Sequence, residues 1–156
     1  MRLSKKGEYA VRALVEIGLR SQVQKHALHQ ISTIAKATAI PEKFLEQILL
    51  ALKNGGVLKS KRGVAGGYCL NKDIASITLG EIIRLMDGPL APIPCVSKTA
   101  YEKCNCPDEE TCGLRIAMQK ARDSLSELLD SYTLALLLGE VQSKKAGSTK
   151  GWQFDI

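Results

Sequence analysis

The chain has 156 residues and is 45% hydrophobic, which allows one domain with a real core or a small domain plus an oligomerisation arm. No apolar run approaches the length of a membrane span, so a soluble protein with no membrane partner is expected. The net charge of +6 is unevenly spread: residues 1–72 carry 13 Lys/Arg against 4 Asp/Glu, and residues 73–156 carry 9 against 12. The first half suits a polyanion and the second does not.

The N-terminus, MRLSKKGEYAVRAL, passes from a short basic lead straight into an amphipathic pattern. It has neither the apolar stretch nor the small-residue cleavage site of a signal peptide. A cytoplasmic location is expected, where thiols stay reduced and clustered cysteines bind metal or sense oxidants more often than they staple a fold. Ala10, Ala13, Leu14 and Ile17 recur at helical spacing, which predicts a helix over Leu3 to Ser21 with Ser4 as its N-cap. A polar break follows with His26 and His29. Both are read as surface or capping residues rather than ligands.

Two short helices are predicted next, His29 to Lys36 and Pro41 to Asn54. Proline suits a first helical turn, where its missing N–H has no intrahelical partner. Gly55-Gly56 stops the second helix. Ile31, Ile34, Ala35, Ile40, Leu45 and Ile48 would lock the two together as a helix-turn-helix. Ala39 stands where glycine is common, and a positive φ there would strain alanine by about 1 kcal/mol. On the second helix Lys43, Glu46 and Gln47 are the candidates for base contacts. Glutamine pairs with adenine, glutamate accepts from cytosine, and lysine meets guanine or phosphate.

Two β-like runs then flank a glycine-rich basic tip, in VLKSKRGVAGGYCL. A hairpin directly after a helix-turn-helix is a winged helix. Lys59, Lys61 and Arg62 would meet phosphate or a minor groove. The glycines match no nucleotide-binding loop, and no nucleophile–base pair or paired carboxylates suggest an enzyme. Thr78 opens a helix, TLGEIIRLMDG, that Gly88 stops.

A proline-rich insert follows, holding four of the five cysteines: Cys95, Cys104, Cys106 and Cys112. Such clustering points to a metal or redox centre. Zinc sites usually use paired CxxC knuckles, so a CxC pair with distant partners is a poorer match. A reversible disulfide is a further option. Cys69 reads as a small buried hydrophobe on the wing strand. From Gly113 to about Gly139 one long helix is predicted. Its seam of Leu114, Met118, Ala121, Leu125, Leu128, Tyr132 and Ala135 could pack on its own domain, but a homodimer is expected because a DNA-binding winged helix commonly reads two half-sites. The expected organisation is mainly α. It comprises a winged helix-turn-helix over 1–88, a cysteine-rich loop over 89–112, a dimerisation helix over 113–140 and a flexible tail over 141–156.

The opening MRLSKKGEYAVRAL, IPEKFLEQILLALKNGG, the wing KSKRGVAGGY, ITLGEIIRLMDG and the cysteine insert before a long helix together resemble the IscR/NsrR/CymR family of bacterial transcription regulators. The resemblance spans about residues 1–140. It implies a homodimer that binds a double-stranded DNA operator through two winged helices, as a repressor or related regulator. In many members three cysteines of the insert hold an iron–sulfur cluster, usually 2Fe-2S, whose state sets DNA affinity in response to iron, redox conditions or nitric oxide. Other members lack a cluster and act through protein partners or thiols. The common cysteine spacing is kept between Cys106 and Cys112, but Cys95 lies further from Cys104 and Cys106 than the pattern has it. Either Cys104 or Cys106, or both, would then ligate. Four thiolates would satisfy a 2Fe-2S cluster. With three, Glu8 matches the position at which some relatives supply a fourth ligand from the partner subunit. Arg115 stands where others have a histidine, and it cannot ligate. An electron-transfer or cluster-delivery protein is the rival of another class. It would have the cysteines but no use for a basic winged helix.

Overall fold

The computed structural model describes residues 3–24 and 27–149. Six helices and one two-stranded sheet form it: α1 (Lys5–Val23), α2 (Ile31–Thr38), α3 (Glu42–Asn54), β1 (Leu58–Lys61), β2 (Gly67–Leu70), α4 (Leu79–Asp87), α5 (Gly113–Ser131) and α6 (Leu134–Thr149). A single 3-10 turn at Pro94–Val96 interrupts the loop between α4 and α5.

Helix α1 is the hub. Ser4 caps it by accepting a hydrogen bond from the Gly7 N–H. The Ser4 main-chain N–H and hydroxyl also reach the Asp87 carboxylate at the end of α4, at 2.9 and 2.5 Å. The α1 face anticipated from the spacing, Ala10, Ala13, Leu14 and Ile17, is fully buried. It packs in one core with Ile34 of α2, Leu45, Ile48, Leu49 and Leu52 of α3, Ile82 of α4, and Leu134 and Leu138 of α6. Each leucine or isoleucine among them contributes about 1.5–3 kcal/mol by leaving water.

The turn between α2 and α3 does adopt a left-handed conformation at Ala39, with φ 54° and ψ 37°. The chain leaves α3 through Gly56, whose φ is 76°. β1 and β2 pair antiparallel, Leu58 opposite Leu70 and Lys61 opposite Gly67. Cys69 is buried on β2, as expected of a small hydrophobe.

Two departures from the sequence reading have physical causes. His29 does not open α2. It bridges Tyr68 of β2 through two main-chain hydrogen bonds of 2.9 Å, so a short extended segment ties the wing to the helix-turn-helix. His29 is also buried rather than at the surface.

The helix expected from Gly113 to about Gly139 is broken. Tyr132 and Thr133 leave helical conformation because their backbone pairs with the segment before α4. The Leu79 N–H donates to the Tyr132 carbonyl at 2.9 Å, and the Leu134 N–H donates to that of Ile77 at 2.7 Å. Thr133 then accepts from the Leu136 N–H and starts α6. Leu134 and Leu138 turn into the core instead of extending a seam. The chain expected to be a tail is helical as far as Thr149, while residues 150–156 lie outside the described residues.

Candidate functional site

Two regions carry the candidate residues. The first is the face formed by α3 and the wing. Helix α3 is amphipathic: Leu45, Ile48, Leu49 and Leu52 are buried, which leaves Lys43, Glu46 and Gln47 exposed on the opposite side. Lys59, Lys61 and Arg62 are exposed along the wing. A groove of about 610 Å³ runs between the two elements, with Glu42, Glu46 and Lys53 on one wall and Lys61 and Arg62 on the other. The structure thus brings Glu46, Lys61 and Arg62 to one groove, while Lys43, Gln47 and Lys59 are exposed outside its lining. Burial, and then the Glu46 charge, push Tyr68 above the usual phenol range.

The groove has supports that the sequence did not suggest. The Gln30 side-chain amide donates to the Val64 carbonyl at 3.0 Å, fixing the wing tip to the start of α2. Gly67 is required beside it, since a Cβ there would lie 2.5 Å from the His29 carbonyl oxygen. Across the core, Tyr9 of α1 meets the Phe44 ring edge-on at 5.6 Å. Arg12 lies over the Tyr9 ring and donates to the Thr38 carbonyl at 3.4 Å, so α1 braces the end of α2 and the start of α3.

The second region is the cysteine loop. All four of its cysteines line one pocket of about 340 Å³, together with Glu102, Leu114 and Arg115. The Cys106 and Cys112 sulfurs are 3.9 Å apart, and the Cys106 N–H donates to the Cys104 sulfur at 3.3 Å. Hydrogen bonding with the Cys104 and Cys112 sulfurs pushes Cys106 up to about 12. Burial and the neighbouring Cys104 also raise Cys95. Cys112 moves the other way. It stands at the N-cap of α5, where the Arg115 main-chain N–H favours the thiolate although the sulfur makes no cap hydrogen bond.

Three residues besides the cysteines hold the loop. Glu109 accepts from the Tyr101 hydroxyl at 2.8 Å and from the Cys104 N–H at 3.1 Å. Arg115 donates to the Cys95 and Glu109 carbonyls at 3.4 and 3.2 Å. Arg122 of α5 donates to the Val96 carbonyl. None of these contacts has a spacing signature, because each crosses a loop.

Among the described residues no three His, Cys, Asp or Glu side chains close onto a single-ion site. The donor set nonetheless suits an iron–sulfur cluster. Four sulfurs share one pocket, and two irons spread their ligands more widely than one ion does. Within its own chain Glu8 does not line the cysteine pocket; it shares a cleft with Asp87 and pairs with Lys5 at 2.6 Å. No described helix is long and apolar enough to cross a membrane. Helix α5 buries none of its residues, and Leu114, Ile116 and Leu128 are exposed along it.

Comparison with known proteins agrees with this architecture. The chain is 34% identical to the HTH-type transcriptional regulator CymR of Bacillus subtilis over 158 residues, covering the whole of both chains. The solved structure of CymR, the global cysteine regulator of B. subtilis, matches with a TM-score of 0.72 at 30% identity, over 90% of this chain and 98% of that one. The HTH-type transcriptional regulator IscR of Escherichia coli is 33% identical over 88% of this chain and 80% of its own length. These relatives are regulators rather than enzymes. The Rrf2 family model, described as an iron-dependent transcriptional regulator, matches residues 3–140, and the chain belongs to that family of helix-turn-helix transcriptional regulators.

Proposed function

We propose that this regulator binds its operator as a cytoplasmic homodimer and that the cysteine loop sets its DNA affinity by holding an iron–sulfur cluster, 2Fe-2S in type. The observation that carries this reading is the convergence of Cys95, Cys104, Cys106 and Cys112 on one pocket directly at the start of α5. All four would serve as ligands, making the set complete within one chain. Glu8 of a partner subunit would be needed only if one thiol stayed free. Bound there, the cluster would supply a redox-active, labile centre responsive to iron, oxidants or nitric oxide.

The remaining steps belong to the chain. Lys43, Glu46 and Gln47 meet base edges in the major groove, and Lys59, Lys61 and Arg62 meet the backbone or minor groove alongside. Cys112 joins the loop to α5, and Arg115 and Arg122 tie α5 to the opposite strand of the loop. Any rearrangement of the thiols is thereby passed to α5. If α5 pairs with its counterpart in a second subunit, that movement changes the spacing of the two reading heads.

The test is anaerobic purification with a visible absorption spectrum and counts of iron and sulfide. A coloured protein with matching iron and sulfide supports the reading, and Cys112→Ala should then alter operator affinity without unfolding the protein. A protein that stays colourless after reconstitution refutes the cluster. It would favour a cluster-free regulator controlled by thiol oxidation or a partner protein, a second reading to which the 3.9 Å Cys106–Cys112 contact lends support. Absence of salt-dependent duplex binding would instead favour an electron-transfer or cluster-delivery role.

A further inference from the structure

The outermost residue of the wing is out of character with its neighbours. β1 and β2 close through residues 62–66, and Val64 in the middle is 96% exposed. Most other large apolar side chains left exposed among the described residues lie along helices, where a neighbouring face can cover them. Val64 lies on no such face. It projects from a hairpin turn between Gly63 and Ala65, just beyond the charged, exposed Lys61 and Arg62.

The tip is also held in place. The Gln30 amide fastens the Val64 carbonyl at 3.0 Å. The Gly66 N–H closes the turn onto the Gly63 carbonyl at 2.9 Å. A β-branched side chain on a fixed backbone has few rotamers to lose, so an ordered apolar point is offered at little entropic cost.

We infer that Val64 is a specificity residue that enters the minor groove beside the half-site contacted by α3, an assignment that rests on the DNA-binding reading above. Lys61 and Arg62, just before the tip, reach phosphates beside it and give affinity without sequence information. The apolar tip meets the groove floor. At an A·T pair that floor presents only acceptors, whereas a G·C pair adds the guanine amino group, which protrudes and is a hydrogen-bond donor. An isopropyl group pressed against that donor strips it of water and returns no acceptor. Val64 therefore selects A·T over G·C at the step it touches.

The experiment starts from duplexes that the full chain selects out of a random pool, with the flanking step then varied as A·T, G·C or inosine·C. Inosine·C keeps the major-groove edge of G·C but lacks the minor-groove amino group. Wild-type protein should lose about fivefold or more in affinity on going from A·T to G·C, and regain it with inosine·C. Val64→Ala and Val64→Ser, at a fully exposed position, should keep the wild-type unfolding midpoint and reduce that discrimination to about twofold or less. Lys61→Ala should instead weaken all three duplexes alike and lower the salt slope by about 1. Unchanged discrimination in Val64→Ala, or inosine·C behaving as G·C, overturns the assignment alone. Wild-type protein that shows no salt-dependent duplex binding overturns the DNA-binding reading together with it.

Discussion

Ala39 offers a sharp test of how the sequence builds the reading head. Its backbone lies at φ 54° and ψ 37°, where a Cβ crowds the following carbonyl at a cost of about 1–2 kcal/mol. The side chain is exposed, so removing it gives up no packing. Ala39→Gly relieves the crowding but gives the unfolded chain more freedom, worth about 0.4–1 kcal/mol in the other direction. The expected net effect is stabilisation by about 0.5–1 kcal/mol, or roughly 1–4 °C in Tm for a chain of this size. Ala37 supplies the control. It is also exposed, two residues earlier and inside α2 with right-handed geometry, so Ala37→Gly should destabilise by about 0.5–1 kcal/mol. Urea unfolding followed by far-UV circular dichroism reads both. If Ala39→Gly shifts the midpoint downward as Ala37→Gly does, the left-handed turn is not what limits this junction.

Other consequences are equally direct. Burial, with Arg20 adding to it, holds His29 below the usual imidazole value, and its Nε2 has no hydrogen-bond partner among the described residues. The unfolded chain therefore takes up more protons between the lowered folded value and about 6.5, so stability is complete above about 6.5 and falls as the pH drops through the folded value; His29→Gln should flatten that part of a urea-midpoint profile against pH. Gly67→Ala should destabilise by about 1–3 kcal/mol and speed hydrogen exchange at Tyr68, because its Cβ would meet the His29 backbone at 2.5 Å. Leu128, 60% exposed on α5, should tolerate Leu128→Glu within about 0.5 kcal/mol of fold stability. The same change should split the proposed homodimer in sedimentation, and an unaffected dimer would place its interface elsewhere.

The parts legible in the sequence were those with local signatures. The helix-turn-helix followed from apolar spacing and from Pro41 and Gly55-Gly56, and the wing from short β-like runs around glycine. The spacing also anticipated the face of α1, and the small apolar character of cysteine the burial of Cys69. What escaped was set by pairing across long separations. Nothing near Tyr132 announces a break, because Tyr132 and Ala135 continue the helical repeat of the seam. The break comes from main-chain bonds to Ile77 and Leu79, more than fifty residues away. The segment at His29 was too short to show a strand period. The clustering of the cysteines was plain, but their support by Glu109, Arg115 and Arg122 was not, since the same charges read equally well as solvated surface.

The Thr78–Thr133 bridge also bears on how α5 can move. It anchors one end of a rod of 19 residues, about 28 Å long at helical rise, whose other end is Cys112. Nothing along that rod is fully buried, so it is a lever with its fulcrum at the bridge rather than a wedge driven into the core. By rigid-body geometry, a tilt of about 5° about the fulcrum carries the cysteine end through roughly 2.5 Å. Leu134 and Leu138, on the far side of the bridge, stay seated while it does so. In the proposed homodimer, a sulfur-scale rearrangement would thus move the subunit contact by a comparable distance without disturbing the helices proposed to read DNA.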